Sequence, residues 1–200
     1  MANIDRSQGF RPVKYLSGKP YTGAFNWYEI PAADTSVTMV GDLVVLSDGA
    51  ATEAYPAVER AAASGVVTAA VLVGAIVGMY IDPTNLNVPG GMYRVTAVKR
   101  LVMVADDRDL VFECQEDSVG GAIATASIGL NAGFVATAGS TTTGNSGMEL
   151  DSSSVDTTST LPLQIVGRSE RIDNEAATAE AKYLVRINTH AYGSVGVAAV

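Results

Sequence analysis

The amino-acid sequence predicts a mainly β protein: an antiparallel β-barrel or sandwich with one or two short helices and an extended N-terminal arm. Three observations carry this. Apolar residues recur at every second position or in short β-branched runs. Turn signals rich in Gly, Asp and Ser separate those runs, in a chain with 20 Gly and 7 Pro. No segment sustains the helical period of an amphipathic helix. Two hundred residues suffice for one sizeable core. The natural division is an arm over 1–23 and a single β-rich domain over 24–200.

The arm is "GFRPVKYLSGKPYTG", Gly9 to Gly23. It sets Phe10, Tyr15 and Tyr21 among Arg11, Lys14 and Lys19, and Pro12 and Pro20 bar a helix. "AFNWYEIPAADT" alternates and stops at Pro31, and its Trp27 and Tyr28 are the one dense aromatic cluster of the body. "VGDLVVLSDGA" is a short apolar strand closed by Asp48-Gly49. "EAYPAVERAAASG" is ambiguous, because alanine favours a helix that Pro56 disrupts.

"VVTAAVLVGAIVGMYI", Val66–Ile81, is the one membrane candidate. It is shorter than the ~20 residues a spanning helix needs, and its β-branched residues favour a strand. Alternation puts Val71, Val73, Ala75, Val77, Met79 and Ile81 on one face and Leu72, Gly74, Ile76, Gly78 and Tyr80 on the other. Both faces are apolar, so the strand is either central or covered by a neighbouring subunit. "DPTNLNVPGG" is a loop and "MYRVTAV" alternates. "RLVMVADDRDLVFECQED" reads as a β-hairpin around an acidic turn.

A short helix is expected near Ala122–Ala126. The Ser/Thr-rich loop at 139–160 has a linker's composition, which Met148 and Leu150 anchor in part. Two strands close the domain, in "LPLQIVGRSER" and "AKYLVRINTHA". In the second, Tyr183, Val185 and Ile187 face one way and Leu184, Arg186 and Asn188 the other.

Charge and chemistry exclude much. The net charge is −8. Residues 1–20 hold four cations against one acid, a local +3, and leave 9 basic and 20 acidic residues, a −11 remainder. An acidic body repels nucleic acid and anionic membranes; the arm fits an acidic protein surface. The single cysteine, Cys114, permits no internal disulfide and reads as a buried small hydrophobe. The single imidazole, His190, lies at a strand end without a nucleophile motif, so no catalytic residue is assigned. One His and one Cys cannot build a zinc site, and neither "DSSSVD" nor "DDRD" has the ligand pattern of a calcium loop. No phosphate-binding glycine loop is present, so no cofactor or metal is expected.

Several stretches together resemble a family of capsid decoration, or cement, proteins of tailed bacteriophages. They are "GFRPVKYLSGKPYTG" with "YEIPAADT" and "VGDLVVL", "VGAIVGMYIDP", "MYRVTAVKRLVMVADDRDLVFECQED", "GSTTTGNSGMELDSSS", "LPLQIVG" and "DNEAATAEAKYLVRINTH". The resemblance covers most of residues 9–190 and includes no mechanistic motif. It implies a non-enzymatic virion protein, made in the host cytoplasm, that sits as a homotrimer on the outside of an icosahedral head and stabilises contacts between major capsid protein subunits. The arm then lies across a partner subunit, with Phe10, Tyr15 and Tyr21 in pockets and Arg11, Lys14 and Lys19 against acidic groups. The alternative is a lectin-like adhesion or receptor-binding module centred on Trp27.

Overall fold

The computed structural model describes residues 3–48, 54–81, 93–175 and 177–193. The expected loop over 82–91, the tail beyond Gly193 and the Gly49 half of the Asp48-Gly49 turn lie outside the described residues. The strands are β1 (Arg11–Tyr15), β2 (Asn26–Ile30), β3 (Thr38–Met39), β4 (Leu43–Leu46), β5 (Val58–Arg60), β6 (Gly65–Val67), β7 (Leu72–Met79) and β8 (Tyr93–Arg94). They continue as β9 (Arg100–Ala105), β10 (Leu110–Gln115), β11 (Asn131–Ala132), β12 (Phe134–Ala136), β13 (Glu149–Leu150), β14 (Leu163–Arg168) and β15 (Lys182–Ile187). The helices are two short 3-10 turns, Thr125–Ser127 and Ser152–Ser154. The protein is mainly β, as its sequence predicts.

Two five-stranded antiparallel sheets dominate. The first has the order β1-β10-β15-β14-β11 and the second β2-β9-β7-β4-β5. The second sheet curls. Its outer strands meet at a parallel bridge between Glu29 and Ala57, where the Glu29 N–H donates to the Pro56 carbonyl at 3.0 Å. No ladder closes the barrel. Inside the curl, every strand contributes to a separate core: Tyr28 and Ile30, Val44, Val58, Ile76, Val102 and Val104. The sheet's other face packs on the first sheet, sandwich-fashion, around Phe10, Leu43, Leu72, Phe112, Phe134 and Val185. Each such large side chain contributes roughly 1.5–3 kcal/mol of burial.

β7 explains its two apolar faces by position, as the third of five strands. Leu72 and Ala75 join the core between the sheets, and Val73, Ile76 and Met79 join the curl. No neighbouring subunit is needed to cover it. Strict alternation would have grouped Val73 with Ala75. Two bulges prevent this: pairing to β4 skips Val73, and pairing to β9 skips Val77. Each extra residue flips the faces. Gly74 sits where a Cβ would lie 2.1 Å from the Ala105 carbonyl oxygen, so the close strand approach requires glycine there.

The expected hairpin over 100–117 is corrected. Both strands form, and the tight turn forms too: the Asp107 side chain accepts the Asp109 N–H at 2.8 Å, and its carbonyl accepts the Leu110 N–H at 3.1 Å. Yet β9 lies between β2 and β7, whereas β10 lies between β1 and β15. The turn passes the chain from one sheet to the other. Turn chemistry and alternation specify a corner between strands; they do not name the partners.

The arm is part of the domain. β1 is an edge strand of the first sheet, pairing Arg11 with Glu113, Pro12 with Phe112 and Tyr15 with Leu110. An edge tolerates proline. Gly9 has φ +68°, and a Cβ there would lie 2.4 Å from the Gly41 carbonyl oxygen. The backbones touch at this point, and the Phe10 N–H donates to that oxygen at 2.9 Å. Outside β1, Gly9 and Phe10 are fixed to the body, and residues 16–23 turn back so that Pro20 bridges to Lys14. The Ser/Thr-rich segment is anchored by its own chain: Met148 and Leu150 are buried in the core, and Ser146 Oγ donates to Asp42 at 2.6 Å.

Candidate protein interface

The candidate interface residues part company in the structure. Phe10 fills the protein's own core, edge-on to Phe134 with ring centroids 6.3 Å apart. Tyr15 and Tyr21 are half-buried against the same core, and the Tyr21 hydroxyl donates to the Ala24 carbonyl at 2.8 Å. These three aromatics occupy pockets as expected of them, but the pockets belong to their own chain. A lone sequence does not distinguish the two cases. Arg11, Lys14 and Lys19 are exposed. Trp27 is half-buried on β2, between Phe25 at 5.5 Å and Tyr80 at 6.2 Å, both edge-on.

The exposed cations of β1 are continued by residues far along the chain. Directly paired residues share a sheet face. One cross-strand row is Lys14, Val111, Arg186 and Gln164; the next is Arg11, Glu113, Leu184 and Gly167; Gln115 and Lys182 follow. The residues between these rows, Phe112, Val185 and Ile165, point to the core. The strands of the first sheet therefore carry Arg11, Lys14, Lys182 and Arg186 on their outer face against one strand acid, Glu113, while Asp173 and Glu180 lie beside Lys182 and Asp109 beside Arg186 at the edges. The Glu113 carboxylate is already engaged by the Ser169 hydroxyl and by Arg171 at 3.4 Å. Lys182 and Arg186 were not among the residues first picked out. The alternation of "AKYLVRINTHA" does set Arg186 on the face opposite Val185; that this face is the outer one and joins β1 through β10 required the topology.

Two other arginines are used internally. Arg94 is fully buried and donates to the carbonyls of Pro31, Asp34, Ser36 and Val98 at 2.6–2.9 Å, and to the Asp34 carboxylate at 3.3 Å. Arg60 holds Asp42 at 3.0 Å and the carbonyls of Ala62, Ala63 and Thr137. A cavity of about 280 Å³ is lined by Thr35, Met39, Ala138 and this Arg60. Its one charged group, the Arg60 guanidinium, is already committed to Asp42 and those carbonyls.

Catalytic geometry is not assembled around the single imidazole. His190 is buried, its Nδ1 accepts the Tyr192 N–H at 3.1 Å, and burial pushes its pKa below the usual value. Cys114 is buried in the core, and burial pushes its thiol well up, away from nucleophilic use. One cluster escaped the sequence reading. Carboxylates of Asp5, Glu149 and Glu180, from three distant segments, lie within 4.8 Å of one another. Burial, then Asp5 and Glu180, raise Glu149 to about 7. Glu116, wholly buried, is likewise raised to about 7, by burial first. The membrane candidate Val66–Ile81 contains β6 and β7, and among the described residues no helix is long and apolar enough to cross a membrane. No family model, curated protein or solved structure matches this chain.

Proposed function

We propose that this protein is a structural virion component, a capsid decoration or cement protein that docks on acidic surface of the major capsid protein through the outer face of its first sheet. The observation that carries the reading is the charge layout. A chain of net −8 gathers Arg11, Lys14, Lys182 and Arg186 on one sheet face whose strands hold one acid, Glu113, already engaged, with Asp173 and Glu180 beside Lys182 and Asp109 beside Arg186 at its edges. Unpaired charge of one sign on one face steers and orients a partner of the opposite sign. The resemblance of the sequence to phage decoration proteins supplies the partner's identity and the trimer. Residues 11–15 contribute to the interface as an integral strand, and Phe10 contributes indirectly by fixing that strand.

The test is co-sedimentation of the purified protein with undecorated phage heads, with light scattering of the free protein. Saturable binding and a mass three times that of the chain are expected. A protein that ignores heads at all concentrations and low salt overturns the reading. A second reading, a glycan-binding module, is favoured by one observation: the partly exposed Phe25–Trp27–Tyr80 cluster offers ring faces. Glycan binding that disappears in Trp27→Ala, without head binding, would replace decoration with adhesion.

A further inference from the structure

One end of the basic face holds a small polar pocket. Its volume is about 190 Å³, and Arg108, Asp109, Arg186, Asn188 and His190 line it. It forms where the turn between β9 and β10 meets the end of β15. The size suits a single side chain or a small anion rather than a drug-sized ligand.

The way Arg186 is held singles this pocket out. A guanidinium has five N–H donors. Arg186 Nε donates to Gln164 Oε1 at 2.7 Å, and Gln164 Nε2 donates onward to the Gly129 carbonyl at 3.2 Å. This relay fixes the guanidinium plane from behind. Among the described residues, no hydrogen bond or ion pair takes up its Nη atoms. Arg60, Arg94 and Arg171, by contrast, are each held by a carboxylate. Arg186 is oriented by a neutral amide instead, so its charge is aimed and not cancelled. Arg108 adds a second guanidinium without an ion-pair partner among the described residues. Among the lining residues Asp109 opposes the two guanidinium groups with one carboxylate, and Asp106 and Asp107 of the same turn lie behind His190. His190 accepts the Tyr192 N–H at Nδ1, and its other ring nitrogen is buried toward the backbone of Val73 and Asp106, so the imidazole forms a wall of the pocket and not a donor into it.

We propose that this pocket is a carboxylate receptor, in which the two-pronged Nη edge of Arg186 takes the side-chain carboxylate of a Glu or Asp presented by the protein on which the basic face docks. The Nη edge matches the two oxygens of a carboxylate in one plane. The surrounding net charge disfavours a polyphosphate chain, which would bring many negative charges to an acidic body. The proposal rests on the docking reading above and makes it specific: the face supplies general attraction, and the pocket supplies one anchoring contact.

The experiment is an NMR titration of the whole protein with a capped Gly-Glu-Gly tripeptide, using the capped Gly-Gln-Gly tripeptide as control. The Glu peptide should shift the Arg186 Nε–H and Gln164 amide signals, and the Gln peptide should not. Arg186→Gln should weaken the response roughly tenfold or more, as expected for losing charge-assisted hydrogen bonds. Gln164→Glu should abolish it while leaving the fold intact, because an internal carboxylate then occupies Arg186. Lys99→Gln, at an exposed position outside the first sheet, should leave it unchanged. An undiminished response in Gln164→Glu, an equal response to the Gln peptide, or an equal response to inorganic phosphate at matched ionic strength overturns the proposal. Head binding separates the two levels. Gln164→Glu protein that decorates heads with unchanged affinity removes the pocket and keeps the docking reading. Wild-type protein that answers the Glu peptide but binds no heads does the reverse.

Discussion

The two large sheets of this protein treat arginine in opposite ways. Around the second sheet, Arg94 and Arg60 are buried among carbonyls and a carboxylate each, and their charge ends inside the molecule. On the first sheet, Arg186 is half-exposed and braced by Gln164, with its charge directed outward. The side chain is the same; its partners decide whether it works for the fold or for an encounter. Cations already neutralised internally contribute nothing to recognition, so the face that matters is the one whose cations lack acids.

The comparison can be broken first at Arg94. Arg94→Leu leaves four carbonyls and Asp34 without their donor and should cost about 3–5 kcal/mol, read from the denaturant midpoint. Stability unchanged by this substitution would mean the buried arginine is not structural. Next comes Phe10→Ala, which opens the core shared by the sheets and should cost about 3–5 kcal/mol. By the same reasoning, removing residues 1–20 should give a chain that does not fold, since β1 and Phe10 leave with it. A folded, soluble truncation would return the arm to its separate status.

A third prediction concerns pH. The folded chain holds Glu149 and Glu116 near 7, above the ordinary value of 4.5. The folded state thus keeps protons that the unfolded chain releases. Their contribution to stability is fully present below about 4.5 and is lost as pH rises through about 7. Glu149→Gln should flatten that part of the profile and be more stable than wild type at pH 8. A profile unaltered by Glu149→Gln would mean that the fold does not hold Glu149 protonated through neutral pH.

The smallest expected effect on stability lies on the basic face. Lys14→Gln with Arg186→Gln should change stability by less than about 1 kcal/mol, within the range usual for surface sites, since neither residue is ion-paired among the described residues.

Local features of this architecture were legible in the sequence. The mainly β class and the strand ending at Pro31 follow from alternation and turn residues; for Val71–Ile81 the two apolar faces allowed a central strand or one covered by a neighbouring subunit, and alternation set Arg186 opposite Val185 without naming the outer face. The pairing of strands was not. β9 and β10 join different sheets although a tight turn connects them, because backbone periodicity carries no partner label. Bulges at Val73 and Val77 defeated the face assignment for the same reason: an inserted residue looks like any other until its neighbour strand is known. The proposed docking face was half legible. Arg11 and Lys14 stood out by local composition. Lys182 and Arg186 belong to the same face only through β10, and the carboxylates of Asp5, Glu149 and Glu180 only through the complete fold.

The central claim is that the outer face of the first sheet is the docking face. The most direct test compares two charge-matched double variants for binding to undecorated phage heads at one salt concentration. Lys14→Gln/Arg186→Gln removes two charges from the face, and Thr141→Glu/Thr142→Glu adds two negative charges on an exposed loop elsewhere. The account predicts that the first loses about tenfold or more in affinity, roughly 1.4 kcal/mol, while the second stays close to wild type. An equal fall in both would reduce the effect to net charge, and no fall in the first would place the docking face elsewhere.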